Sequence, residues 1–301
     1  MEAYSVETPC LALLAQLRWP NGFVCPLCGR ASATNLREGV ARCLNCRRRV
    51  TVTTGTVMHG TKAPLSAWLA AAWLATEPGR GVSAREVQQR ASIYSYQTAW
   101  MLLHRLRLAL SATVQATKLS GEVSVDEVLL GRRSAGVPGR GVLGQRLVAV
   151  AVEMSHGEPG RVRFGLLPDA APSSLRGFFR RCIEAGSVVV SDTWAAYPPA
   201  CAGLTGHRVV DDAAAGGRVC PPGVAPIVRQ LNEWLVRTHQ ASVGVKHLQR
   251  YLDEFAFRFD HRDDPPGQAF MAALAALMAA PPASYQELMG DVVAPPQKPD
   301  R

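Results

Sequence analysis

The apolar positions fall into three regimes along the chain. Residues 10–17 form a short apolar-periodic helix, and residues 64–116 are helical almost throughout. Pro64 opens that stretch in the manner of a first-turn proline. Ser83 and Glu86 have the spacing of a capping box. A short helix at 84–91, a break at Ser92-Ile93-Tyr94-Ser95 and a longer helix at 96–112 read as helix-turn-helix. The pattern then changes to β-branched runs at 123–130, 147–153 and 161–167, a helix at 173–185, a run at 188–192 and a last strand at 206–212. After a Gly/Pro-rich break at 216–223 it returns to helix. Residues 226–238 carry the stripe Ile227, Val228, Leu231, Trp234 and Leu235, and further helices are predicted at 246–259 and 268–280. Strand runs enclosing and followed by helices predict an α/β domain with a mixed sheet, preceded by a helical segment. No internal repeat is visible. The glycine-rich segment 131–144 reads as a basic loop and the tail 293–301, with three prolines, as disordered.

Composition and charge sharpen this picture. A hydrophobic fraction of 48% over 301 residues supports real cores. A net charge of +9 points to a polyanionic partner, nucleic acid first. The apolar runs 67–75 and 268–280 are too short to cross a bilayer. The start Met1-Glu2-Ala3-Tyr4 lacks the features of a signal peptide, so a cytoplasmic, nucleoid-associated protein is expected. In a reducing compartment the eight cysteines are ligands or thiols rather than disulfides. Cys25 and Cys28, then Cys43 and Cys46, make two C-x2-C knuckles with 14 residues between them, a set that suits tetrahedral Zn2+. Arg47, Arg48 and Arg49 follow at once and suit phosphate contact. Gln97, His104, Arg105 and Arg107 on the second helix of the helix-turn-helix are candidate DNA contacts, whereas Trp100, Leu103 and Leu110 are assigned to the core. His59 is given a structural role and Cys10 a buried one. The runs 123–130 and 188–192 each deliver an aspartate, Asp126 and Asp192. Neighbouring strands would bring both to one rim, where hard cations such as Mg2+ or Mn2+ take carboxylate oxygens.

The order of these motifs resembles bacterial insertion-sequence transposases of the ISXO-like kind. It comprises the two knuckles, Thr54-Gly55-Thr56-Val57-Met58-His59-Gly60-Thr61, Ser95-Tyr96-Gln97-Thr98-Ala99-Trp100, Val125-Asp126-Glu127, Ser191-Asp192, Trp234-Leu235-Val236-Arg237-Thr238-His239-Gln240 and Lys246-His247-Leu248-Gln249-Arg250-Tyr251. The resemblance covers roughly residues 5–262. It implies a zinc ribbon, a helical DNA-binding segment and an RNase H-like domain that cuts and joins DNA with Mg2+ or Mn2+. In that family Asp126 and Asp192 match the first two metal-binding carboxylates. The third is a Glu, Asn or His near the start of the helix after the last strand. Here that match falls at or near Ala225, leaving Glu233 or Asn232 on the same helix face as substitutes, with Glu233 the expected third catalytic residue. Asn232 also stands where the family has a lysine, so Arg229 or Arg237 would serve.

These readings predict a zinc ribbon with its N-terminal helix at 1–50, a helix-turn-helix segment at 51–118, an RNase H-like domain at 119–265 and a C-terminal helix and tail at 266–301. The expected function is a DNA transposase, acting as a homo-oligomer on terminal inverted repeats and target DNA. The alternative is a transposase-derived DNA-binding protein without catalysis. A zinc-ribbon transcription accessory protein is a weaker third reading, because it leaves the paired aspartates unexplained.

Overall fold

The computed structural model describes residues 2–33, 39–79, 81–131, 145–210, 219–239 and 245–289. Most of the basic loop, Asp211 and Asp212, and the tail lie outside the described residues. In chain order the elements are α1 (Glu2–Arg18), β1 (Val40–Arg42), β2 (Arg49–Thr51), α2 (Leu65–Thr76), α3 (Ala84–Arg90), α4 (Tyr96–Ala116), β3 (Glu122–Leu130), β4 (Arg146–Ser155), β5 (Glu158–Leu166), α5 (Pro172–Cys182), β6 (Val188–Ser191), α6 (Tyr197–Cys201), β7 (Gly206–Val209), α7 (Val224–His239), α8 (Leu248–Asp260), α9 (Gln268–Ala279) and α10 (Tyr285–Met289). A single 3-10 turn, Val245–His247, precedes α8. Among the described residues no helix is long and apolar enough to cross a membrane. The first helix begins at Glu2, eight residues before its predicted start, with Pro9 inside it. The stretch 51–60 is strand only at Thr51 and turns or bends thereafter.

The chain packs as two compact units. The first takes the described residues of Met1–Ala75, Ala84–Ala109 and Phe270–Arg301; the second takes Thr76–Ser83 and Leu110–Ala269. In the first, the C-terminal α9 region closes on N-terminal elements. Ala280 accepts a 2.8 Å backbone bond from Val57, and Phe270 meets Trp73 edge-on at 5.5 Å. Glu7 of α1 caps α2, its carboxylate accepting from the Leu65 and Ser66 backbone N–H groups at 2.8 and 2.9 Å. Burial alone would raise the Glu7 pKa, but the bonds from Ser66 and Leu65 outweigh it and hold the carboxyl below its ordinary value. The sign follows: this contribution is present at neutral pH and lost as pH falls through the depressed value. Glu7→Ala is expected to cost about 1 kcal/mol near neutrality and to flatten the acid limb of the stability curve, read by denaturant melts across pH.

The second unit is built on a five-stranded sheet in the order β5-β4-β3-β6-β7. Strands β3, β4 and β5 form an antiparallel meander, and β3, β6 and β7 run parallel. This is the RNase H-like arrangement, a mixed sheet whose parallel half is reached by a helical crossover. The amphipathic α5 supplies that crossover, burying Leu175, Phe178, Phe179 and Cys182 at i, i+3, i+4, i+7 spacing. They pack with Val123, Val125, Ala149, Ala151, Val189 and Tyr197 on one face of the sheet. Gly165 on β5 admits the Phe178 ring; a Cβ there would sit 2.4 Å from it.

The opposite face carries Phe164, edge-on to Phe255 of α8 at 5.8 Å. Strand β5 ends the sheet, and polar side chains from α8 and the turn after it satisfy its unpaired backbone. Gln249 accepts from Leu166 N–H at 3.1 Å and donates to Phe164 C=O at 3.0 Å. Asp260 accepts from Val162 N–H at 2.9 Å, and Arg262 donates to Pro159 and Gly160. An edge closed in this way offers no template for a foreign strand. Arg163 and Asp260 pair at 2.6 Å with both side chains nearly covered. Asp253, deeply buried, accepts from Ser111, Gln115 and Gln249 at 2.5, 2.8 and 2.9 Å. Burial raises the Asp253 pKa against those bonds.

Candidate metal and nucleic-acid sites

The four-cysteine site is formed by two equivalent turns. In each, the amide of the first cysteine bonds a carbonyl five residues on (Cys25 to Arg30, Cys43 to Arg48, both 3.0 Å), and the amide four residues on returns to that cysteine (Gly29 to Cys25 at 2.8 Å, Arg47 to Cys43 at 2.9 Å). Each turn therefore needs a left-handed residue at the fourth position, Gly29 at φ 71° and Arg47 at φ 61°. Sulfur separations are 3.8 Å for Cys25–Cys46 and 3.6 Å for Cys28–Cys43, and all four Sγ atoms lie within 4.8 Å of one another. A tetrahedron with Zn–S bonds of about 2.3 Å has edges of about 3.8 Å. The thiols are thus already spaced as zinc ligands. The module's own core is small, Cys25, Cys43 and Val50 with Trp19 and Phe23 against them.

Arg47, Arg48 and Arg49 are all exposed beside this module. Arg47→Gly is expected to stabilise the apo module by about 0.5–1 kcal/mol, since only a β-carbon opposes the left-handed turn. It should simultaneously weaken DNA binding, and paired melting and binding curves would separate the two roles.

In the helix-turn-helix, Tyr94 is fully exposed, and Tyr96 and Gln97 stand out from the start of α4. Arg105 is partly covered. His104 and Arg107 correct the expectation made for them. At 0% and 2% exposure they lie inside, His104 stacked on Trp100 at 4.0 Å, and cannot reach a groove without unpacking α4.

Asp126 sits on β3, and Asp192 follows β6 directly. The parallel ladder pairs Ser124 with Val190, so two residues on Asp126 and Asp192 stand at one level of adjacent strands. Strand spacing of about 4.8 Å then separates their backbones. The pleat sends Asp126 to the face opposite Val123 and Val125, where α7 lines its cleft. Asp126 Oδ1 accepts from the Glu127 N–H at 2.8 Å, and Asp192 Oδ1 from the Trp194 N–H at 3.0 Å. On the reverse face Tyr197 bonds the Val125 carbonyl at 3.4 Å and the Glu127 side chain. Burial, followed by the charges of Glu127, Asp126 and Asp192, raises its pKa far above the ordinary range. Tyr197 thereby ties the Asp192 turn to the strand of Asp126.

A cleft of about 510 Å³ opens on Asp126, walled by Val224, Ala225, Val228, Arg229, Asn232 and Glu233 of α7 and by Cys220 before it. Glu233 shares that cleft but is largely exposed and lies 3.8 Å from Arg237. Among the described residues the four cysteines are the group of three or more metal-ligating side chains drawn within 4.8 Å; Asp126, Asp192 and Glu233 are not gathered so closely. Cys220, which the sequence reading passed over, has its Sγ 3.8 Å from Asp126 Oδ2. A cysteine in a Gly/Pro-rich break carries no periodic signal that would have singled it out.

Fold and site together define an RNase H-like domain behind a zinc ribbon. Residues 118–260 match the ISXO2-like transposase domain, and residues 6–49 match the transposase zinc-ribbon domain. The chain thus carries a domain similar to those of the ISXO2-like transposases behind a ribbon similar to the transposase zinc ribbon. It is 33% identical over 134 residues to an "Uncharacterized protein in transposable element ISH50" of Halobacterium salinarum, an alignment spanning 42% of this chain and 42% of that relative.

Proposed function

We propose that the protein binds the ends of an insertion sequence and cuts and joins DNA at Asp126 and Asp192. The observation that supports this reading is the β3–β6 register, which sets Asp126 and Asp192 both two residues beyond the Ser124–Val190 pair, with Asp126 on an open cleft. The donor set fits Mg2+ or Mn2+, because hard oxygens suit these ions and Mg2+ is commonly held by one or two carboxylates with waters and substrate phosphates. Such an ion would supply a more acidic bound water and neutralise charge on the leaving oxygen. Asp126 and Asp192 would hold it, each oriented by a backbone N–H. Arg229, in the same cleft, would bind the phosphate flanking the cut. Water cleaves the phosphodiester to free a 3′-hydroxyl, and that hydroxyl then attacks target DNA. The zinc ribbon with Arg47, Arg48 and Arg49, and α4 with Gln97 and Arg105, would bind double-stranded DNA in the terminal repeats. Glu233, the acidic side chain of α7 on that cleft, would be the third catalytic residue and would have to swing from its place beside Arg237 to join the pair.

One observation favours a second reading, a DNA-binding protein without catalysis. The resemblance puts the third metal-binding position at or near Ala225, and among the described residues no group of three His, Cys, Asp or Glu side chains that includes the two aspartates gathers within 4.8 Å. The deciding experiment incubates zinc-loaded protein with duplexes carrying the element ends in Mn2+ or Mg2+. A nick at the repeat boundary in either metal supports the transposase. Binding with no nick in either metal establishes the second reading.

A further inference from the structure

A second cleft, of about 220 Å³, lies between α7 and α8. Its walls include the rings of Trp234, Phe255 and Phe259, and Arg237 and Arg258 also line it, Arg258 donating to the Glu77 carbonyl at 2.7 Å. Trp234 and Phe255 pack at 5.8 Å, Phe255 and Phe259 at 6.2 Å, so the rings form a continuous wall. Arg262 stacks on Phe259 at 4.0 Å and adds positive field at the rim. Glu233 lines both this cleft and the one that opens on Asp126. On α7, residues 229 and 232 look to one side of Glu233 and residues 230, 234 and 237 to the other, so the two clefts adjoin across a single side chain.

Aromatic walls beside arginines suit single-stranded nucleic acid, in which base and phosphate need separate partners. The space is that of one base rather than a duplex. We propose that the α7–α8 cleft holds one unpaired nucleotide of the strand cut at Asp126 and Asp192, its phosphate on Arg237 and its base along the rings. The inference rests on the cutting reading for the identity of the strand, but the binding it describes needs no cleavage.

The test uses full-length, zinc-loaded protein and a fluorescein-labelled oligo-dT single strand without divalent metal, read by anisotropy over a salt series. Arg237 is 68% exposed, so Arg237→Ala leaves the packing of α7 intact. The expected result is roughly fivefold weaker binding and a salt slope reduced by about 0.7, the loss of one single-strand phosphate contact. Arg237→Lys should restore most of both. Photocrosslinking with 5-iodouracil in the strand should map to peptides containing Trp234 or residues 255–259. An unchanged slope in Arg237→Ala, no measurable affinity for the single strand, or crosslinks elsewhere would overturn the assignment. A protein that crosslinks here yet never nicks duplex ends supports the cleft and rejects the cutting reading.

Discussion

Asp126→Ala and Asp192→Ala are each expected to lower Mn2+-dependent nicking of an element end by at least about 10³-fold, roughly 4 kcal/mol of barrier. The size follows from geometry. The two residues stand level on adjacent strands, and removing either leaves an ion with one protein carboxylate. Asn at either position keeps shape and hydrogen bonding while removing charge, so Asp126→Asn and Asp192→Asn should fail nearly as badly. Neither change touches the zinc module or α4, so affinity for the DNA end should persist, showing that the loss is chemical. A complementary gain tests the vacant corner. Ala225 lies in the first turn of α7 on the wall of the Asp126 cleft, and Ala225→Glu should raise nicking about tenfold. Glu233→Gln should abolish nicking if Glu233 now fills that role. Nicking that survives Asp126→Ala would reject the assignment outright.

Cys25→Ser is expected to empty the zinc site, taking the metal content from one ion per chain to nearly none. Structural zinc contributes about 10–16 kcal/mol in comparable small modules, and the local core of Cys25, Cys43, Val50, Trp19 and Phe23 is too small to replace it. The module should lose fixed structure, and specific end binding should fall at least 100-fold, measured by metal analysis and gel shift. Acidification should do the same reversibly, because protons compete with zinc for thiolate. The Cys28 thiol lies below its ordinary range. The Arg30 backbone N–H and then, against partial burial, the Asn45 amide and the neighbouring thiols draw it down to about 6. Full zinc occupancy in the serine variant would disprove the four-thiol site.

Much of this was legible in the residues themselves. The knuckles declare a metal centre by spacing alone, and two β-branched runs, one carrying Asp126 and the other ending at Asp192, declare strands. The face of α4 was misread for a definable reason. Trp100, Leu103, His104 and Arg107 follow i, i+3, i+4, i+7, so the two polar residues fall in the same buried stripe as the apolar ones. Side-chain chemistry suggested surface where periodicity already implied interior. The bonds of Gln249 and Asp260 to the β5 edge, and the meeting of Cys220 with Asp126, join residues 83 to 98 positions apart. No local pattern encodes such pairings. The segment Lys246 to Tyr251, read as helix and as part of a family signature, includes in Gln249 a residue that bonds the backbone of the β5 edge.

The closure of the first unit by α9 also governs when a newly made molecule becomes competent. As the chain leaves the ribosome, the cysteine knuckles emerge early and can load zinc at once. The partners of Val57 and Trp73, Ala280 and Phe270, arrive only about 200 residues later. A chain cut short by a frameshift beyond Asp192 but ahead of Phe270 would still carry thiols that capture metal, attached to an incompletely packed body. Truncated copies of such an element should therefore accumulate poorly in cells, being drawn off by proteases instead of competing with intact copies for DNA ends.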